Sequence, residues 1–194
     1  NQIMIKRGLT GGIGVGKTHV SDVFQQLGIP VFNADMQAKQ CMVDNTELRL
    51  AIQNKFGKQV YNNGVLQREI LANIVFNNSN ALIELNALVH PVVKQRFLDW
   101  CTLQKSSFVI KEAAILYESK ANIGLDKVIC VSADVDVRIT RVMKRDNLTK
   151  AAVIGRINMQ MPQLEKEQLA DYVIVNDGKK LLLPQIISII KEID

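Results

Sequence analysis

An α/β fold, with a parallel sheet flanked by helices, is what this chain predicts, and three observations predict it. A short apolar run at residues 3–9 leads straight into the glycine-rich stretch Gly11-Gly12-Ile13-Gly14-Val15-Gly16-Lys17-Thr18. Residues 17–27 then carry helical apolar spacing through Val20, Phe24 and Leu27. Gly28 and Pro30 break that helix, and residues 29–32 read as a second strand. Strand, glycine loop, helix and strand form one βαβ unit, which implies parallel strands and a right-handed crossover.

The remaining elements extend this unit. Residues 34–105 read as almost entirely helical, divided by Gly57, by the turn Asn62-Asn63-Gly64 and again at Asn77 to Asn80, with Ser79 as the expected N-cap of the helix that follows. So long a stretch without a strand exceeds a simple crossover and predicts a helical insertion beside the sheet. Strands return at residues 108–110 and 127–131, both continuous apolar runs of the kind buried on two faces. A basic helix over residues 135–145, a helix near 150–161, a strand at 172–175 and an amphipathic helix at 180–192 complete the order.

Composition narrows the class. Hydrophobic residues at 47% and charged residues at 22% describe a globular chain, not a disordered one. At 194 residues the core is large enough to need no disulfides. Cys41, Cys101 and Cys130 are odd in number and scattered, which predicts buried, inert thiols in a reducing cytoplasm. No apolar run approaches a membrane span, and the N-terminal run reads as a buried strand in place of a signal peptide, with Met4 a candidate start. The net charge of +5 suits either a nucleic-acid binder or an enzyme of phosphorylated anions. Aromatic residues at 5%, without basic–aromatic interleaving, argue against nucleic acid. The absence of D-x-x-G and N-K-x-D argues against a GTP-dependent switch.

The glycine stretch matches G-x-x-x-x-G-K-[ST] through Gly11, Gly16, Lys17 and Thr18. Glycines let backbone N–H groups close around a triphosphate, and the following helix directs its positive end at the phosphates. Lys17 would reach the β- and γ-phosphates of ATP and the Thr18 hydroxyl would ligate Mg²⁺. The dinucleotide pattern G-x-G-x-x-G fails, because from Gly12 and Gly14 its third position falls on Lys17.

Other residues supply candidate chemistry. Asp35 follows the second strand, where open α/β sheets place ligands, and is a candidate to orient or deprotonate an acceptor hydroxyl; the alternative is a cap on the next helix. Arg138, Arg141 and Arg145 fall on one helical face, and Arg156 with Gln160 on the next helix, forming a cationic surface suited to a transferring phosphoryl group or simply to solvent. Glu112 is a candidate aid to magnesium, or else a helix N-terminal acid. His19 flanks the nucleotide, and His90-Pro91 lies inside the helical insertion.

Taken in order, these residues resemble the dephospho-coenzyme A kinase family. The resemblance rests on the glycine loop, Ala34-Asp35, Gly64-x-Leu66-x-Arg68, Val75-Phe76, His90-Pro91 and Leu116-x-Glu118. It continues through Arg141-x-x-Lys144-Arg145-Asp146, Arg156-x-x-x-Gln160, Lys166, Ala170-Asp171 and Asn176-x-Gly178. The chain departs from the family's usual pattern at Asn33, where Asp is usual, at Gln67, at Ala114-Ile115 and at Glu112.

The resemblance implies phosphorylation of the ribose 3′-hydroxyl of dephospho-coenzyme A by ATP with Mg²⁺; another P-loop nucleoside or nucleoside monophosphate kinase is the alternative. It implies a nucleotide core (residues 1–33, 106–136 and 170–194), an acceptor-binding helical region (34–105) and a lid (137–169). Catalytic roles would fall to Lys17, Asp35 and Arg141. Gly12, Ile13, Gly14, Val15, Gly16, Lys17, Thr18, His19, Arg145 and Asn176 would serve the nucleotide, and Thr18 and Glu112 the metal. Asp35, Arg68, His90, Pro91, Glu118 and Arg156 would serve the acceptor. A cytoplasmic monomer is expected, with ATP and dephospho-coenzyme A as partners and neither nucleic acid nor membrane.

Overall fold

A computed structural model describes residues 4–76 and 78–192. In chain order the elements are β1 (Ile5–Thr10), α1 (Lys17–Gln26), β2 (Val31–Asn33), α2 (Ala34–Asp44), α3 (Thr46–Phe56), β3 (Tyr61–Asn62), β4 (Val65–Leu66), α4 (Arg68–Phe76) and α5 (Ser79–Thr102). They continue with β5 (Phe108–Glu112), β6 (Lys127–Ser132), α6 (Val135–Asp146), α7 (Lys150–Asn158), α8 (Gln163–Leu169), β7 (Tyr172–Val175) and α9 (Leu182–Lys191). The chain divides into two compact units. One runs to Phe32 and resumes at Gln104; the other is Asn33–Leu103.

The first unit carries a five-stranded parallel sheet in the order β2-β5-β1-β6-β7. From β1 the chain leaves to β2 on one side and later builds β6 and β7 on the other. The loop after β1 therefore stands at the switch in strand order, where such sheets bind ligands. Leu9, Ile110, Ile129 and Ile174 are fully buried, together with Val20 and Phe24 of α1 and Ile186 of α9. Phe24 meets Phe108 edge-on, with ring centroids 6.4 Å apart at 72°. A smaller apolar cluster of Ile139, Val142 and Val153 joins α6 to α7, and Ile13 packs against it.

Arg7 occupies an unusual place in β1. It is buried, its guanidinium lies over the rings of Phe108 and Tyr172 at 5.2 and 5.0 Å, and it donates to the Ile189 carbonyl at 3.2 Å. Cation–π contact with two rings compensates part of the lost hydration.

In the second unit α5 packs against α2, α3 and α4 through Ala81, Leu85, Val89, Val93 and Phe97. The spacing of these residues is the i, i+4 stripe of a buried helical face. The helix continues through Pro91, which removes one backbone donor without ending it. Arg96 clasps Asp44 with two hydrogen bonds, at 3.0 and 2.7 Å, tying α5 to the end of α2. These bonds hold the Asp44 carboxyl below the usual carboxylate range.

Several sequence expectations need correction. The insertion, expected to be almost entirely helical and without a strand, contains two: Tyr61–Asn62 and Val65–Leu66 pair as a short antiparallel hairpin. Asn63 and Gly64 turn it with φ of 46° and 81°, the pair of positive angles that Asn-Gly tolerates. The N-cap of α5 is Asn78 in place of Ser79; its side chain accepts from the amides of Asn80 and Ala81. Asp35 is no cap either. Asn33 caps α2 by accepting from the Met36 amide at 2.8 Å, while Asp35 sits exposed in the first turn. Glu112 ends a strand and does not begin a helix. The helix near 150–161 stops at Asn158, and α8 follows as a separate helix. Of the predicted first strand Ile3 lies outside the described residues, as does Asn77 of the predicted break.

Two substitutions test this packing. Phe24→Ala should destabilise the protein by about 3–5 kcal/mol in urea unfolding, and a loss below about 1 kcal/mol would contradict its place in the core. Asn33→Ala should cost about 1 kcal/mol by loss of the cap, and Asn33→Asp should be close to neutral.

Candidate active site

In the loop between β1 and α1 two carbonyls have donors from outside the loop. The peptides are trans throughout the described residues, so each N–H points opposite to the carbonyl of the same peptide. The Ile13 carbonyl accepts from Nε of Arg138 at 3.0 Å. The Val15 carbonyl accepts from Nδ2 of Asn176 at 2.8 Å and from Arg141 at 3.4 Å. With both carbonyls turned outward, the amides of Gly14 and Gly16 are turned to the opposite side. That is the arrangement an anion-binding loop requires.

Close approach enforces glycine here. A Cβ on Gly14, at φ +84°, would lie 2.6 Å from the backbone oxygen of Arg138. One on Gly16, at φ +86°, would collide with Nδ2 of Asn176. Gly16 is also the N-cap of α1, which has no side-chain cap and no acid in its first turn. The positive end of that helix is therefore not offset by a carboxylate of its own first turn.

Among the predicted nucleotide residues, Lys17 bends back to the Gly11 carbonyl at 2.9 Å, and Thr18 and His19 are exposed on the first turn of α1. Asn176 is buried, and its own carbonyl accepts from Arg141 at 2.9 Å, so this pair braces the loop from behind. Arg145 and Arg156 both bind Asp146, at 2.7 and 3.1 Å. The hydrogen bonds of Arg145 hold the Asp146 carboxyl below its ordinary range.

Arg138 departs from the arginine face expected of α6. It is buried against the loop backbone, and burial lowers the pKa of its guanidinium.

Glu112, at the carboxyl end of β5, pairs in register with Leu9 of β1 and accepts from the Ser21 hydroxyl at 2.9 Å. Ser21 lies one turn beyond Thr18 on α1. Thr18 and Glu112 are hard oxygen donors, and magnesium held chiefly by phosphates and water needs only one or two of these. No group of three or more His, Cys, Asp or Glu among the described residues is arranged to hold a metal by itself.

Glu118 meets Lys166 of α8 at 2.7 Å and also accepts from the Met161 amide at 3.1 Å. Lys166 is fully buried and donates to the Ala114 carbonyl at 2.8 Å, so this pair fastens α8 to the segment after β5. All three cysteines are buried, and burial pushes the Cys130 thiol up to about 11, away from nucleophilic use.

In the second unit, Arg68 lines a cleft of about 390 Å³ with Met36, Lys39, Gln40, Val43 and Asp44. His90 is half-buried in α5 and Pro91 is exposed beside it.

Two further contacts are not predicted by the sequence. Gln163 accepts from the Gly12 amide at 2.9 Å, and Gln160 accepts from the Ile13 amide at 2.8 Å. Gln160 is written in the sequence as the end of the motif Arg156-x-x-x-Gln160, with no partner indicated, and it lies beyond the end of α7. Gln163 carried no signal at all, because glutamine acquires a role only from what the fold puts beside it.

Known proteins resemble this chain in sequence and fold. The sequence matches the family described as dephospho-CoA kinase over residues 5–181. A dephospho-CoA kinase of Bacteroides fragilis is 35% identical over 187 residues, covering 96% of this chain and 91% of that protein. The solved dephospho-CoA kinase from Campylobacter jejuni superposes with a TM-score of 0.70 at 26% identity, covering 97% of this chain and 96% of that one. A crystal structure from Thermus thermophilus gives 0.87 at 28% identity, covering 98% and 97%. With a phosphate loop of this geometry at the switch point of the sheet, and a family match along nearly its whole length, the chain belongs to the dephospho-CoA kinase family.

Proposed function

We propose that this chain transfers the γ-phosphoryl group of ATP to the ribose 3′-hydroxyl of dephospho-coenzyme A, giving coenzyme A and ADP, the last step of coenzyme A biosynthesis. The observation that carries the reading is the loop whose carbonyls at Ile13 and Val15 are tied outward, in a chain of this family. Phosphoryl transfer asks little covalent chemistry of the protein and depends on positioning and charge stabilisation.

The amides of Gly14 and Gly16 and the first turn of α1 receive the phosphates, with Gly12, Ile13 and Val15 shaping the loop around them, and Lys17 leaves the Gly11 carbonyl to follow the group in transfer. Thr18, with Glu112 beside α1, would hold a magnesium ion, which when bound neutralises charge on the β- and γ-phosphates. His19 borders the nucleotide, and Asn176 acts on it through the loop. Residues 137–169 act as a lid, in which Arg145 and Arg156 would exchange Asp146 for developing negative charge, while Arg141, expected to act on the phosphoryl group, holds the Val15 and Asn176 carbonyls behind the loop.

On the acceptor side Asp35 orients the 3′-hydroxyl and takes its proton. Its carboxyl group is exposed in the first turn of α2, open to an incoming hydroxyl. Arg68, His90 and Pro91 belong to the acceptor's binding surface, and the cationic lining of the Arg68 cleft suits the acceptor's phosphates. Glu118, the remaining candidate for the acceptor, holds the segment after β5 through Lys166. Buried free cysteines support a reducing, cytoplasmic setting.

Three measurements test the reading. ADP release with MgATP should occur with dephospho-coenzyme A and not with AMP, CMP, adenosine or no acceptor; turnover with a nucleotide alone would overturn the acceptor. Lys17→Ala should lower turnover by roughly 10²- to 10³-fold or more while the protein stays folded, and wild-type rates would remove the phosphate-loop role. Asp35→Asn should lower kcat by roughly 10²- to 10⁴-fold with ATP binding intact. Unchanged kcat would leave Asp35 as no more than a favourable charge at a helix start.

A further inference from the structure

The two peptides by which the chain enters the phosphate loop are each held at both ends. In the Gly11–Gly12 peptide, the Gly12 N–H donates to Oε1 of Gln163 at 2.9 Å and the Gly11 carbonyl accepts from Nζ of Lys17 at 2.9 Å. In the Gly12–Ile13 peptide, the Ile13 N–H donates to Oε1 of Gln160 at 2.8 Å and the Gly12 carbonyl accepts from the Val15 amide at 3.4 Å. Glycine offers little steric resistance to rotation of either peptide plane, so these bonds and not the backbone itself choose the orientation.

Both glutamines belong to the segment where α7 passes into α8. Gln163 is itself braced, since its Nε2 donates to the Val131 carbonyl at 3.0 Å and to Glu167 at 2.8 Å. The Ile13 side chain packs on the cluster of Ile139, Val142 and Val153, so one loop residue is gripped by side chain and backbone together. A rotated Gly11–Gly12 peptide would carry its carbonyl away from Lys17 and set it against Oε1 of Gln163.

We infer that Gln160 and Gln163 are positioning residues for the nucleotide: they fix the entry peptides of the phosphate loop, and through the Gly11–Gly12 peptide the resting place of Lys17. They thereby couple the α7–α8 segment to the β- and γ-phosphate site. The inference rests on the nucleotide half of the reading above and not on the identity of the acceptor.

Calorimetric titration of ATP and of AMP into the intact protein tests it, using Gln160→Met and Gln163→Met, which keep the bulk of the side chain and lose the acceptor oxygen. ATP affinity should fall about tenfold, the worth of one such hydrogen bond, while AMP affinity stays at the wild-type value. Unchanged ATP affinity would overturn the inference. An equal loss for ATP and AMP would also overturn it, since it would mark general damage to the nucleotide site. If a methionine variant does not fold, Gln160→Asn reads the same contact, because it withdraws the amide by one methylene. A wild-type protein that binds ATP yet leaves dephospho-coenzyme A unphosphorylated would refute the proposed reaction and leave this test intact.

Discussion

The planar trans peptide governs this site. A loop that must present several amides to an anion has to dispose of the carbonyls on the same peptides, and a buried carbonyl without a donor is costly. Here the donors come from outside the loop: Arg138 takes Ile13, and Asn176 with Arg141 takes Val15. The neighbours must then stand against the loop itself. That close approach explains why Gly14 and Gly16 have no room for a Cβ. A burial that would otherwise disfavour the charge of Arg138 is tolerated because its guanidinium is part of this scaffold.

The same economy extends behind the loop. Lys166, fully buried, gathers the Ala114 carbonyl and Glu118 and so joins α8 to the segment after β5. Buried ion pairs add little net stability, but breaking one leaves an uncompensated charge, so they hold register well. Glu112 and Ser21 join β5 to α1 on the other side of β1. The elements that carry the loop, the candidate metal ligands and the arginines of α6 are thus tied to one another by polar contacts, over an apolar core of Leu9, Phe24, Ile110 and Ile129.

The second unit is organised differently. Its helices bury one face of α5, and its polar fastening is the Arg96–Asp44 clasp near the surface. That clasp offsets the one acid lining the Arg68 cleft and leaves Lys39 and Arg68 to set the sign of its charge. Asn33 begins this unit as a helix cap. Asparagine and aspartate accept the same amide hydrogen bond there, which accounts physically for tolerance of the change from the family's usual residue.

Sequence alone determined the parallel α/β class, the phosphate loop and the places of its major strands along the chain, because each depends on local rules: apolar runs, helical spacing and a motif whose residue types follow from phosphate chemistry. It also held the Asn63-Gly64 signal for a hairpin, flanked by strands of only two residues, too short to show alternation. The tertiary structure decided everything that depends on who stands next to whom. Arg138, written in the same helical stripe as Arg141 and Arg145, became a buried brace, and Glu118 became the partner of a buried lysine. Gln160, written only as the end of the motif Arg156-x-x-x-Gln160, and Gln163, in no motif, came to hold the Ile13 and Gly12 amides. A side-chain amide carries no net charge and favours no single partner, so only a backbone amide placed within 3 Å gives it work to do.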